Sequence, residues 1–238
     1  MKLFLCIGFT FLVVFANCTY AQDEIFQDDE VKIIEAGKYL EDQFYIGVTY
    51  NILLNRPENV SQNNFSSGIQ LGFIKDIPLN NNRNLGLGIG VGYATNSYFS
   101  NLRATKNSGD IVYDVIPSDV SYRRNKVGTH QLEIPFEFRW RTSTADRYKF
   151  WRLYSGIKLS YVFSARSKFI TADDRVIFSN DEIEKFQYGL YFSFGYNTWN
   201  FYGYYQLNNL FSNDSFIEST GEKINAGVLS VGLMFYIL

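Results

Sequence analysis

The chain has 238 residues with 22 basic and 24 acidic side chains, and this balance excludes the strongly basic surface typical of nucleic-acid-binding proteins. Aromatic residues make up 18% of the chain and charged residues only 19%, yet the mean hydropathy is slightly negative. Strands that place an apolar residue at every second position give such an average, whereas a helical membrane protein would be more hydrophobic. At this length we expect one folded domain.

The first residues predict an export signal. Lys2 gives a basic start, residues 3–15 form an apolar run too short to cross a bilayer as a helix, and Thr19-Tyr20-Ala21 resembles a signal-peptidase site. We therefore expect a signal peptide at residues 1–21, cleaved near Ala21, and export of the mature chain.

Both cysteines, Cys6 and Cys18, fall within this predicted signal. The mature chain is therefore expected to lack disulfides and thiolate metal sites. Lipid attachment at Cys18 is an alternative, but Asn17 is larger than the residue that usually precedes a lipidated cysteine. We expect residues 22–42 to be an acidic periplasmic leader, for which the pattern suggests a short helix at 31–40.

Eight later segments alternate apolar residues with small or polar ones, most regularly at residues 85–93, where glycine occupies every even position. Because a strand points successive side chains to opposite faces, each segment has one apolar face for lipid and one polar face for a barrel interior. The predicted strands are residues 43–54, 67–76, 84–98, 127–141, 149–164, 185–197, 199–207 and 224–238. Residues 43–238 are thus predicted to form one barrel domain.

The connections between these segments alternate between long and short, and several segments have ten or more residues, near the roughly 9–11 that cross a bilayer at a tilt. The predicted fold is all-β, an eight-stranded antiparallel up-and-down transmembrane barrel with short periplasmic turns and longer external loops. Trp140, Trp151 and Trp199 fall on the outward face beside short turns. We interpret them as a girdle at the periplasmic membrane interface.

The same alternation turns a group of charged side chains toward the barrel interior. Charges inside a small barrel usually neutralise one another, so we interpret the group as a structural lumen network rather than as acid–base machinery. We expect Glu137 to bond to Arg139, Arg152 or both. The group consists of Glu133, Glu137, Arg139, Arg141, Arg152 and Lys158.

Two further features resemble functional motifs without matching them. The glycines of residues 86–92 open no helix, which argues against dinucleotide binding, and we expect them to make room for large interior groups such as Tyr45. His130 is the single histidine, and it faces outward without a nucleophile. No catalytic residue, cofactor or metal site is therefore expected.

The segment Leu132-Glu133-Ile134-Pro135-Phe136-Glu137-Phe138-Arg139-Trp140-Arg141-Thr142 and the later Lys149-Phe150-Trp151-Arg152 resemble the PorT family of small outer-membrane β-barrels of Bacteroidetes. The closing strand Val231-Gly232-Leu233-Met234-Phe235-Tyr236 fits as well, although the chain ends in Leu238 rather than an aromatic residue. The resemblance implies an outer-membrane barrel and, through the family's namesake, a role in type IX protein secretion or gliding. It implies no catalytic residue.

These observations favour a non-enzymatic accessory or structural protein whose partners are outer-membrane lipid and secretion-system or envelope proteins, with no nucleic acid. The longest loop, residues 99–126, is the leading external surface for such partners. The alternatives are a porin-like channel for small solutes and, more remotely, an outer-membrane enzyme. A soluble lipocalin-like barrel would need to turn its apolar faces inward.

Overall fold

The computed structural model of the protein describes residues 42–80, 82–107, 109–142 and 150–237. The predicted signal peptide and the leader up to residue 41 lie outside these ranges. In the described residues, no helix is long and apolar enough to cross a membrane. The described strands are β1 (Gln43–Leu54), β2 (Ser67–Pro78), β3 (Leu85–Phe99), β4 (Leu102–Asn107), β5 (Asp110–Val115), β6 (Arg124–Arg141), β7 (Trp151–Ile170), β8 (Arg175–Ser179), β9 (Phe186–Tyr196), β10 (Trp199–Gln206) and β11 (Gly227–Ile237).

Eight of these strands form one closed antiparallel barrel. Going around the wall, the order is β1, β2, β3, β6, β7, β9, β10 and β11. The first and last strands close the barrel through a continuous ladder from Phe44 opposite Ile237 to Leu54 opposite Gly227. The predicted eight-stranded antiparallel barrel is confirmed.

Short and long connections alternate around the barrel, as predicted. The strands that flank the short ones, β2 and β3, β6 and β7, and β9 and β10, come together at one end of the barrel, which we call the turn end. The turn at 197–198 has only two residues, and Asn197 adopts a φ of 56°, which asparagine tolerates better than most residues. The opposite, loop end carries residues 55–66, 100–123, 171–185 and 207–226.

Strands β6 and β7 extend beyond the predicted limits of residues 127 and 164. Their ladder contains an irregularity: His130 pairs with Ser164, whereas the next residue, Gln131, pairs with Val162. The extra residue in β7 is a β-bulge, and it reverses which alternate residues face outward. Arg166 therefore faces outward above the bulge. The period-two pattern of β7 breaks here, which explains why the strand predicted to end at residue 164 was too short.

The segments predicted to be loops also contain regular structure. Strands β4 and β5 form a hairpin within the second long connection, and β8 pairs with the extension of β7. The last barrel strand begins at Gly227, not at the predicted residue 224, because Ile224 is buried among loop residues. The long connections are thus folded elements that cover the loop end of the barrel.

The barrel wall separates two different surfaces. Along β6, the outward residues from Leu132 to Trp140 are apolar and exposed, whereas the inward residues from Glu133 to Arg141 are buried. An exposed apolar face of this kind suits contact with lipid. The buried interior consists of a polar lumen within the barrel and an apolar core among the loops.

Candidate functional site

An ion-pair network fills the lumen near the turn end, and its centre is the carboxylate of Asp76 on β2. Arg139 Nη1 donates to Asp76 Oδ1 at 2.8 Å, and Arg141 Nη2 donates to Asp76 Oδ2 at 2.8 Å. Arg141 Nε also donates to the carbonyl oxygen of Arg83 at 2.6 Å. The side chains of Asp76, Arg139 and Arg141 have no solvent exposure. Because breaking buried pairs leaves uncompensated charge, Asp76 holds two strands together at this level.

Glu137 extends the network toward the middle of the barrel. Its Oε1 accepts from Arg139 Nε at 2.6 Å, and its Oε2 accepts from the Tyr191 hydroxyl at 2.6 Å. Arg152 faces Arg141 in the β6–β7 register, and its guanidinium lies 4.6 Å from the ring centre of Phe150. Of the partners predicted for Glu137, the structure places Arg139 in direct contact. We call Asp76, Glu137, Arg139 and Arg141 the turn-end network.

A second cluster surrounds Lys158 in the middle of the barrel. The Lys158 ammonium donates to Glu133 Oε2 at 3.0 Å, to Gln70 Oε1 at 2.5 Å and to the Tyr202 hydroxyl at 2.8 Å. Three donors and three acceptors satisfy the ammonium fully. Glu133 also accepts from Gln131 at 3.0 Å. The six predicted lumen charges are therefore divided between two levels of the barrel.

Bulky side chains leave little space in the lumen. A cavity beside Lys158, bordered by Gln70, Tyr202 and Tyr204, has a volume of about 20 Å³, room for one or two water molecules. A second, near Tyr45 and Glu137, measures about 10 Å³. The small volumes mean that protein side chains occlude the barrel at both levels.

The interior glycines of β3 make this filling possible. A Cβ at Gly88 would lie 2.7 Å from Glu137 Cγ and 2.8 Å from Arg139 Nε. A Cβ at Gly92 would collide with the hydroxyl of Tyr45. The prediction that these glycines make room for large interior groups such as Tyr45 is confirmed.

An apolar core closes the loop end, and we call it the cap. It joins residues from all four long connections to the upper inner wall of the barrel. The buried members from the connections include Val60, Leu102, Ala104, Tyr113, Ile183, Leu210, Phe211, Ile217 and Ile224. Backbone hydrogen bonds tie the loops together, for example from Glu184 N to Leu210 O at 3.0 Å. The hydrophobic effect thus stabilises a lid over the polar lumen.

Tyr113 on β5 anchors the hairpin within the cap. Its side chain is 1% exposed, and its hydroxyl donates to Asn180 Oδ1 at 3.0 Å. Asn180 in turn donates to Ser167 Oγ at 2.8 Å. Burial raises the pKa of the Tyr113 phenol, although its bond to Asn180 acts in the opposite direction. The phenol is therefore a neutral donor, which links the hairpin to β7.

The three tryptophans lie on the outer wall at the turn end. Trp151 and Trp199 both pair with Tyr196, and Trp140 pairs with Leu85 at the start of β3. Aromatic residues at this position suit a membrane interface. That the three indoles form a girdle at the periplasmic membrane interface stays a prediction.

A second aromatic group lies near the loop end, and sequence analysis missed it. Tyr93, His130 and Phe163 contact one another on the outer wall, with ring centres 6.1–6.3 Å apart. The Tyr93 hydroxyl and His130 Nδ1 are 2.6 Å apart. His130 faces outward as predicted, and its contacts are those of an interface residue. The two aromatic groups are at opposite ends of the apolar wall.

Comparison with known proteins agrees with this architecture. Residues 20–212 match the family model described as "Outer membrane protein beta-barrel domain". The match covers more than half of the chain and includes seven of the eight barrel strands. No curated protein matches the chain.

Proposed function

Because the chain belongs to the outer membrane protein β-barrel domain family, we propose that it is a closed outer-membrane barrel that acts by binding partners, without catalysis. Envelope proteins would contact the outer surface of the cap. The resemblance to the PorT family supports a finer proposal, a role in type IX protein secretion or gliding. Export through a signal peptide cleaved near Ala21 is part of the same proposal.

The observation that carries the proposal is the double closure of the barrel. Ion pairs and tyrosines occupy the lumen, leaving a cavity of only about 20 Å³ beside Lys158, and the cap covers the loop end. An eight-stranded barrel has an interior that side chains can fill, unlike the wide lumen of a porin. The arrangement supports interaction through surfaces over solute passage, which was the principal alternative.

The surface of the cap provides positions where a partner could bind. The second long connection buries Tyr113 and Leu102 and exposes charged residues such as Lys106, Asp110 and Asp119. Loops held by a rigid scaffold commonly carry binding function. With the long loops outside the cell, this charged face would meet extracellular or secreted partners.

Electrical recording tests the closed lumen. The purified mature protein, inserted in planar bilayers, should give no stepwise currents under conditions where a porin of known conductance does. Stable unitary currents would contradict the closed barrel and favour the porin-like channel.

Crosslinking tests the role of the cap. A photoreactive amino acid at Lys106 or Asp119 should capture envelope proteins in native membranes, whereas the same group at lipid-facing Ile89 should not. Deletion of the gene should then impair export of secretion cargo. Normal export in a deletion strain without a paralogue would reject the secretion role. The crosslinking experiment alone would then decide whether the cap binds partners.

A further inference from the structure

The extension of the barrel wall above the bulge carries a concentrated positive charge. In the β6–β7–β8 ladder, Arg124 pairs with Ile170 and Ile170 with Arg175, while Lys126 pairs with Lys168 in the next row. Arg166 lies in the third row, opposite Gly128. Directly opposed residues of antiparallel strands share a face. The five cations on this face, which we call the basic patch, are Arg124, Lys126, Arg166, Lys168 and Arg175.

The basic patch faces away from the protein. The alternate residues of the same strands, including Asn125, Val127 and Phe169, are buried. Val127 belongs to the cap, and Asn125 donates to the carbonyl oxygen of Leu102 in the cap at 2.7 Å. Arg124, Arg166 and Arg175 are exposed. The sheet therefore has a buried side and a cationic side toward its surroundings.

The described residues place no carboxylate partner on the cations of the patch. In the parts of the chain that the structure describes, none of the five forms an ion pair with a carboxylate. Lys126 donates to Ser97 Oγ at 2.9 Å, and it faces Lys168 directly. Asp174, at the β8 turn, accepts from the backbone N–H of Arg175 at 2.7 Å. Because like charges opposite each other destabilise a sheet, the arrangement suits an external anion.

The position of the patch indicates which anion. Lys126 is four residues above His130 on β6, roughly 13 Å along the strand, and His130 belongs to the aromatic group with Tyr93 and Phe163. The apolar wall begins just below, at Leu132. Aromatic residues mark the interface, so the patch lies at the level of lipid headgroups and sugars.

We propose that the basic patch binds the phosphates of a phosphorylated glycolipid, lipopolysaccharide, in the outer leaflet. The proposal rests on the orientation given under the proposed function, with the loop end outside the cell. Arginine and lysine side chains at the headgroup level pair with phosphate, and the acyl chains would lie on the apolar wall around Leu132 and Tyr161. Three strands, spaced about 4.8 Å apart, give a platform roughly 10 Å wide, comparable to a sugar headgroup.

A binding titration with matched variants tests this. Purified protein in detergent is titrated with fluorescent lipopolysaccharide, comparing R166Q/K168Q with the control K106Q/K223Q, which removes two exposed cap cations elsewhere. Each cation near a membrane surface contributes about fivefold to affinity, so the patch variant should bind about 30-fold more weakly and the control almost normally. Added salt should weaken binding to the wild type more than to the patch variant.

Three outcomes would overturn the proposal. Equal binding of dephosphorylated lipopolysaccharide would show that acyl chains alone are bound, and equal loss in the control would show attraction by net charge. Equally tight, patch-dependent binding of phosphatidylglycerol would replace the glycolipid with anionic lipids in general. Gel electrophoresis of unheated samples, in which a folded barrel migrates differently from the heat-denatured chain, checks that each variant is folded. If R166Q/K168Q does not fold, R124Q/R175Q is a second patch variant. The two proposals fail separately: currents through the barrel would reject the closed lumen of the proposed function, but they would not change the outcome of the lipopolysaccharide titration.

Discussion

The lumen and the cap are two cores of opposite chemistry, stacked in one barrel. The lumen buries charge, such as Arg139 between Asp76 and Glu137. The cap buries apolar side chains, with Leu210 fully enclosed. Both regions exclude solvent, so burial alone does not decide their composition.

The difference follows from what surrounds each region. The barrel wall presents its apolar side chains to lipid, which leaves the inward positions of each strand to polar residues and glycine. The loops are surrounded by water, where burying apolar groups is favourable. A barrel of this size thus has a polar core where it meets lipid and an ordinary apolar core where it meets water.

The largest effect is expected from breaking the turn-end network. Asp76→Asn removes the carboxylate shared by Arg139 and Arg141, so less negative charge remains beside two buried cations. The free energy of unfolding should fall by about 3–5 kcal/mol. Urea unfolding in lipid vesicles, followed by tryptophan fluorescence, measures this. The exposed Asp119→Asn should have almost no effect. A loss below 1 kcal/mol for Asp76→Asn would mean that water reaches the network.

A substitution in the cap should act more locally. Leu210→Ala leaves a cavity and should destabilise the cap by about 3 kcal/mol, while the barrel stays closed because no lumen contact changes. Limited proteolysis should cut the loops of the variant faster than those of the wild type. The barrel should keep the gel mobility of the folded protein when the sample is not heated. Val120→Ala, at an exposed position, should leave the cleavage rate as it is. Unfolding of the entire barrel would show that the two cores are one cooperative unit.

A smaller effect is expected from overfilling the lumen. Gly92→Ala places a methyl group against the Tyr45 hydroxyl and should cost about 1–3 kcal/mol in the same urea experiment. Gly203→Ala is the matched control, because it lies in a barrel strand with no atom within 4 Å of the added Cβ. Equal effects of the two substitutions would indicate that strand propensity, not crowding, sets the result.

The smallest effect is expected at the hydroxyl of Tyr113. Tyr113→Phe removes the donor to Asn180 and keeps the ring contact with Phe211, so the cap should lose about 1 kcal/mol. Amide hydrogen exchange in β4 and β5 reports this change. Exchange as slow as in the wild type would mean that the ring alone positions the hairpin.

Much of the barrel could be predicted because its rules are local. Period-two alternation placed Glu137 inside and Phe138 outside without knowledge of any partner. Asp76 was missed because it follows Lys75 at the end of a weakly patterned segment, and its importance depends on arginines more than 60 residues away in the chain. A sequence pattern assigns a face, but it does not identify the partner across the lumen.

The cap and the basic patch were not predictable for a different reason. The residues of the cap, such as Val60 and Ile217, are scattered through loops without a period, so only tertiary contacts define them as a core. The patch is hidden by the bulge near Phe163, after which Arg166 and Lys168 change faces. One inserted residue in β7 therefore concealed that Arg166 and Lys168 share a face with the cations of β6 and β8.

The seam between β1 and β11 has a consequence for assembly. It pairs the first and last strands of the barrel, whose partners, such as Phe44 and Ile237, are almost the whole domain apart in sequence. Contacts this distant carry a large loop-closure entropy, so the seam is expected to be the slowest pairing to form. The cap combines residues that precede β2 with residues that lead into β11, and it can be completed only once the seam has brought them together. A finished cap is therefore a mark of a fully assembled barrel.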